Sequence, residues 1–266
     1  MSQDISSMLG VSALDAVPAP FTHSLVDGVF EPNLFQELRE QFPKIRTMNR
    51  PAGWGQSLYW GEEDYERHLE RSPAWRRVFE AVHSQSFVDF IVEQFRNDWS
   101  REGCTLDLSR VRYVPYCETR SEKERLHLEL DGRSPTDLYC RLDFYESYGG
   151  YYRPLHLDQR RRLISMLVYM DDQEEIGMIG GELFLHAPGP DLRALARLGL
   201  YHAPKAYSRA RERLFRPRPR VVKPRRNRMA MFLCGRTSWH SVAPVRSRLP
   251  RRHVHILISS FADIWE

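Results

Sequence analysis

The chain has 266 residues, 42% of them hydrophobic and 12% aromatic, with 39 Lys and Arg against 35 Asp and Glu for a formal net charge of +4. That apolar share supports a sizeable core and excludes a globally disordered chain. No apolar run approaches the roughly 18 residues a membrane helix needs, and the length fits one large domain, or one domain with a helical extension.

The opening stretch, "MSQDISSMLGVSALDAVPAP", lacks a basic segment followed by a continuous apolar one. Residues 1–20 therefore read as a loose N-terminus and not as a secretory signal. "HSLVDGVFEPNLFQELREQFP" reads as a short strand, a turn and a helix. Pro32 marks the helix start, and Leu34, Phe35, Leu38 and Phe42 fall on one apolar face at helical spacing. "SPAWRRVFEAVHSQSFVDFIVEQFRNDW" carries a second helical pattern, starting at Ser72 and Pro73 and breaking near Ser84 to Ser86. Residues 21–107 are expected to be mainly helical.

From about residue 108 the pattern changes to short alternating runs divided by Gly and Pro. "DLYCRLDFYESYGG", "RRLISMLVYMDD", "GGELFLHAPG", "RVVKP", "RMAMFLCG", "HSVAPV" and "RRHVHILISSF" read as strands or strand ends. Few helical crossovers separate them, so the sheet should be mainly antiparallel. The class is α+β, with a barrel or jelly roll over residues 108–266 and the helical region packed on it as one integrated domain. Most of the basic excess lies at 205–228, "KAYSRARERLFRPRPRVVKPRRNR". It reads as a solvated loop or short amphipathic helix; the sharper alternative is a site for an anionic partner, nucleic acid included. It lacks the interleaved aromatics that stack on bases. Cys104, Cys117, Cys140 and Cys234 show no CxxC spacing, so reduced thiols and a soluble, cytoplasmic protein are expected.

The chemistry-bearing candidates are His-x-acid pairs. With 10 histidines in the chain, chance gives about one such match. Three occur, at His68, His127 and His156. A ferrous site open to oxygen needs two imidazoles and one carboxylate on one side of the metal. On a strand, residues i and i+2 point the same way, so such a pair delivers two ligands to one face. His68 lies in "EEDYERHLERSP", a helical and solvated pattern on which i and i+2 diverge. His127 and Glu129 share a strand face in "RLHLELDG", which fits the polar outer face of a half-buried strand better than a ligand pair. His156 and Asp158 follow a Gly-rich turn after a strand, and His240 in "SWHSVAPV" offers a third ligand downstream.

The order of these pieces resembles the iron(II)- and 2-oxoglutarate-dependent oxygenases, in the branch similar to prolyl hydroxylases. "FYESYGGYYRPLHLD", "LISMLVYMDD", "GGELFLH", "MAMFLCGRTSWHSVAPV" and "RRHVHILISSF" arrive in that family's order, over about residues 138–263. The resemblance implies a double-stranded β-helix fold and His156, Asp158 and His240 as iron ligands. It implies a basic residue on the last strand as the holder of the distal 2-oxoglutarate carboxylate. Arg251 and Arg252 compete for that role. Alternation favours Arg251, which shares a face with His253 and His255 while Val254, Ile256 and Ile258 take the other, and a guanidinium grips a carboxylate with two parallel hydrogen bonds. Tyr169 and Tyr145 resemble tyrosines that line the cosubstrate site, although each also fits as an aromatic packed in the barrel.

The activity so implied consumes Fe(2+)-bound 2-oxoglutarate and O2, releases succinate and CO2, and hydroxylates a C–H bond of a small-molecule, amino-acid or peptide substrate. The intact Asp158 speaks against halogenation, because related halogenases lack the carboxylate. One departure from the family is an insert at about 190–218, which either covers a substrate or contributes nothing to chemistry. Two other classes fit parts of the pattern: a cupin-like metal enzyme without 2-oxoglutarate, and a binding module that uses the basic insert for an anionic partner.

Overall fold

The computed structural model describes residues 9–10, 13–45, 55–119, 121–122, 132–198, 200 and 219–265. The chain enters through β1 (His23–Asp27) and α1 (Pro32–Glu40), then runs through β2 (Gln56–Leu58), α2 (Glu63–Arg71), α3 (Pro73–Val82) and α4 (Gln85–Gln94). Serines set the starts of α3 and α4. The Ser72 hydroxyl accepts from the Trp75 N–H at 3.4 Å, and that of Ser84 from Phe87 at 3.2 Å, each satisfying an amide the helix itself leaves open. The break between α3 and α4 is therefore a new helix start.

Strands dominate thereafter: β3 (Arg112–Tyr113), β4 (Asp137–Ser147), β5 (Arg153–His156), β6 (Arg162–Tyr169), β7 (Leu183–Leu185), then helix α5 (Pro190–Arg197), and β8 (Arg220–Val222), β9 (Arg228–Leu233), β10 (His240–Val242) and β11 (Arg251–Ser260). Among the described residues they build two sheets. The larger has the order β1-β9-β6-β11-β4-β2, with β3 also beside β4; the smaller has the order β5-β10-β7-β8. Every pairing is antiparallel except β3 with β4. From β4 to β7 successive strands alternate between the sheets, and β9 to β11 alternate again. This winding brings β5 and β10 side by side although 83 positions separate His156 from His240.

The larger sheet has two unlike faces. Leu138, Cys140, Leu142 and Phe144 of β4, Met166 and Val168 of β6, and Val254 and Ile256 of β11 join Trp75, Val78, Phe87 and Ile91 of the helices in one apolar cluster. Trp75 meets Phe144 edge-on at 4.8 Å, and its Nε1 donates to the Leu38 carbonyl at 3.0 Å. The other face turns toward the smaller sheet, where Leu167, Tyr169, Ala230 and Phe232 pack with Leu183, Leu185, Val222 and Val242.

His68 departs from the solvated position expected of it. It shares the sheet-facing side of α2 with Tyr65 and Leu69, its ring lies 5.3 Å from Phe144, and burial lowers its pKa to about 4. His127, Glu129 and the basic residues at 205–218 lie outside the described residues. The part of the insert that is described includes α5, whose Leu192 and Leu195 pack on Leu155, Leu157 and Trp239. No helix among the described residues is long and apolar enough to cross a membrane.

Candidate metal centre and the wall beside it

His156 ends β5, His240 begins β10, and the two are direct partners in the ladder. Their ring centroids are 4.2 Å apart. Asp158 stands two residues beyond His156, past the strand end, so a loop and not strand alternation delivers it. One ligand atom from each of His156, Asp158 and His240 lies within 4.8 Å of the other two.

The protonation pattern suits a metal. His156 Nδ1 is 2.8 Å from the Pro154 carbonyl and His240 Nδ1 is 2.8 Å from that of Ser238. A carbonyl only accepts, so each Nδ1 carries the proton and each Nε2 keeps its lone pair. Burial lowers the pKa of both imidazoles, which keeps them neutral. Burial alone would raise the Asp158 pKa, but its surroundings, the Arg162 guanidinium foremost, hold the carboxyl far below its usual range. Two neutral nitrogens and one carboxylate within this range could hold a metal ion, and they are the donor types that suit ferrous iron. The residues present fit such an ion.

Arg251 opens β11 on the interior face, paired with Ser147, and the next row on that face is Tyr145, His253 and Tyr169 across β4, β11 and β6. Arg251 is 2% exposed, and its guanidinium carbon lies 5.1 Å from the Tyr169 ring centroid. Arg251 Nε and Nη2, the Tyr169 hydroxyl, His253 Nδ1 and Ser147 Oγ are all buried without a hydrogen-bond partner. Such orphaned donors are costly unless a ligand meets them. Burial raises the pKa of Tyr169, against the opposing charge of Arg251, so its hydroxyl remains a donor. A dicarboxylate with one end at Arg251 fits this cradle.

Arg252 points away. It pairs with Asp171 at 2.6 and 2.9 Å and lies over Phe42 on the helical side. Tyr145 stacks on His253 at 5.1 Å and meets Tyr59 edge-on at 6.0 Å. Deeper along the same face Arg141 bridges Glu118 and Asp143, and Glu118 also takes Arg161 and the Tyr139 hydroxyl. This buried network is balanced by its own opposite charges.

Strand alternation alone places His253 and Ser147 on this wall. Arg162 and Cys234 escape such reading: Arg162 Nη1 lies 2.5 Å from Asp158 Oδ1, and Cys234 Sγ lies 3.5 Å from Oδ2.

Residues 140–258 match the family model described as the 2OG-Fe(II) oxygenase superfamily. No curated protein sequence matches the chain. Among solved structures, a prolyl 4-hydroxylase from Phytophthora capsici aligns with a TM-score of 0.46 and 15% identity over 90% of this chain. The chain spans 58% of that protein's length. A prolyl-4-hydroxylase from Pseudomonas putida aligns with a TM-score of 0.43 and 14% identity, covering 90% of this chain and 92% of that one. A 2OG-Fe(II) oxygenase family oxidoreductase from Burkholderia pseudomallei gives 0.46 and 12%, covering 89% and 84%.

Proposed function

We propose that the chain, whose residues 140–258 match the 2OG-Fe(II) oxygenase superfamily model, is a 2-oxoglutarate-dependent dioxygenase of that superfamily that hydroxylates an unactivated C–H bond. The observation that carries the reading is the pairing of two sites in one interior. His156, Asp158 and His240 converge as a ferrous donor set, and Arg251 keeps unpartnered guanidinium nitrogens beside the Tyr169 hydroxyl. A metal enzyme that dispenses with 2-oxoglutarate has no need of the second feature. The two alternating sheets are read as a double-stranded β-helix carrying the helical region as part of one domain. Four unpaired cysteines suit a reducing, cytoplasmic setting.

The bound iron, with 2-oxoglutarate and O2, would supply the oxidising chemistry that ends in succinate, CO2 and a hydroxylated product. The protein's share is position and exclusion of water. His156, Asp158 and His240 would hold the ion. The carbonyls of Pro154 and Ser238 fix the tautomer and the aim of both rings. Arg251 would take the distal carboxylate of 2-oxoglutarate with a charge-assisted pair of hydrogen bonds, and the Tyr169 hydroxyl would donate to the same group. Tyr145, stacked on His253, lies on the same wall. Apolar side chains of both sheets close the interior to water. The substrate class proposed is a small molecule, amino acid or peptide; an anionic partner at the basic insert belongs to the same proposal.

The test is an anaerobic titration with Fe(II) and 2-oxoglutarate, followed by admission of oxygen and assay of succinate. A visible charge-transfer band on adding both, and succinate formation, are expected. Iron binding with no response to 2-oxoglutarate would favour the cupin-like alternative.

A further inference from the structure

Arg162 has a side chain only 10% exposed, and its Nη1 reaches Asp158 Oδ1 at 2.5 Å. Alternation counted back from Val168, Met166 and Ile164 would send residue 162 to the helix-packed face. The ladder between β6 and β11 prevents this. It runs in regular register from Tyr169 opposite His253 to Ile164 opposite Ile258, then slips so that Arg162 faces Ser259. Leu163 is the extra residue, and it joins the helix-side cluster. A bulge of this kind re-aims a side chain, here from the apolar face to the ligand carboxylate. The backbone at 162 is pinned as well: its N–H donates to the Gln159 carbonyl at 2.9 Å, and its carbonyl accepts from Trp265 Nε1 at 2.7 Å. On the other carboxylate oxygen, the Cys234 thiol is a weak donor at 3.5 Å.

We propose that Arg162 is a positioning residue that keeps one oxygen of Asp158 engaged, so that this carboxylate offers the metal a single oxygen. The proposal rests on the ferrous reading above. A carboxylate free to turn binds a dication through one oxygen or both. A guanidinium does not lose its proton, so it competes for Oδ1 at every pH at which the protein is folded. By the same charge it neutralises Asp158 and lets the site persist without a metal. Removing it would leave a buried, uncompensated carboxylate, which takes a metal more avidly and through both oxygens. The coordination position needed for reaction would then be lost. Metal affinity and turnover should therefore part company, which a merely structural role would not produce.

The experiment uses Co(II) alone as probe, with affinity read by calorimetry and coordination by visible absorption. Succinate release with Fe(II) and 2-oxoglutarate is measured separately. Arg162→Met is expected to bind Co(II) at least as tightly as wild type, with an altered visible spectrum, while succinate release falls about 10- to 100-fold. Arg162→Lys, a point charge instead of a fork, should shift the spectrum the same way and less. If Arg162→Met does not fold, the Arg162→Lys spectrum decides. An unaltered Co(II) spectrum in the variants that fold, or Co(II) affinity falling in step with succinate release, overturns the proposal. Wild-type protein that takes up no Co(II) overturns the metal reading itself, a distinct failure.

Discussion

His156 and His240 are cross-strand partners at the mouth of the smaller sheet, with rings 4.2 Å apart. Each is aimed by a backbone carbonyl two residues before it in the chain. Losing either ring removes a donor that no neighbour replaces. His240→Ala should weaken Fe(II) binding by more than the roughly 10- to 100-fold typical of outer partners. Asp158→Ala should abolish iron-dependent succinate production. Metal analysis after gel filtration and a succinate assay check both; an Asp158→Ala variant with full activity would refute the ligand assignment.

Adjacent arginines at the start of β11 should behave oppositely. Arg251→Ala should raise the 2-oxoglutarate concentration for half-maximal turnover about 10- to 100-fold, as loss of one or two hydrogen bonds to a charged group would. Arg252→Ala should leave that requirement unchanged. It breaks the pair with buried Asp171 and should cost about 1–3 kcal/mol of stability. Kinetics at varied 2-oxoglutarate, alongside urea melts, separate the two.

Trp75 ties α1, α3 and β4 together through its bond to Leu38 and its contact with Phe144. Trp75→Ala should destabilise the fold by roughly 3–5 kcal/mol, measurable by chemical denaturation. Because Trp75 lies on the face away from His156, Asp158 and His240, iron affinity of the folded fraction should hold.

His83 stacks on Phe79 at 3.9 Å, and burial lowers its pKa from 6.5 to about 4. Unfolded, this histidine takes up a proton as the pH falls below about 6.5; folded, it does so only near 4. Between those values the unfolded chain binds more protons, so its contribution is complete above the upper value and is lost as the pH falls through the window. His68 acts in the same direction. Urea melts at several pH values should show stability dropping on acidification, with a shallower slope in His83→Gln.

Much of the fold is legible in the sequence because strand parity and serine caps are local signals. β11 reads directly as Arg251, His253 and His255 on one face and Val254, Ile256 and Ile258 on the other. His68 misleads because its acidic neighbours in "EEDYERHLERSP" outnumber Tyr65 and Leu69, the two residues that set the buried side of α2. Asp158 is misplaced by simple alternation, since β5 ends at His156. Arg162 is illegible for a related reason: the bulge at Leu163 depends on how β6 meets β11, a tertiary fact with no local mark. That His156 and His240 adjoin follows from winding between sheets, which composition and periodicity do not encode.

The two-faced larger sheet carries a rule for how this gene can change. Along β4, β6 and β11, odd and even positions serve different masters, one set bound to the helices and the other to the interior. Deleting a single codon inside β11 would swap them, driving Arg251 and His253 into hydrocarbon and Val254 into the polar interior. Length variation within these strands should thus survive only in steps of two, or where a bulge such as that at Leu163 absorbs the odd residue.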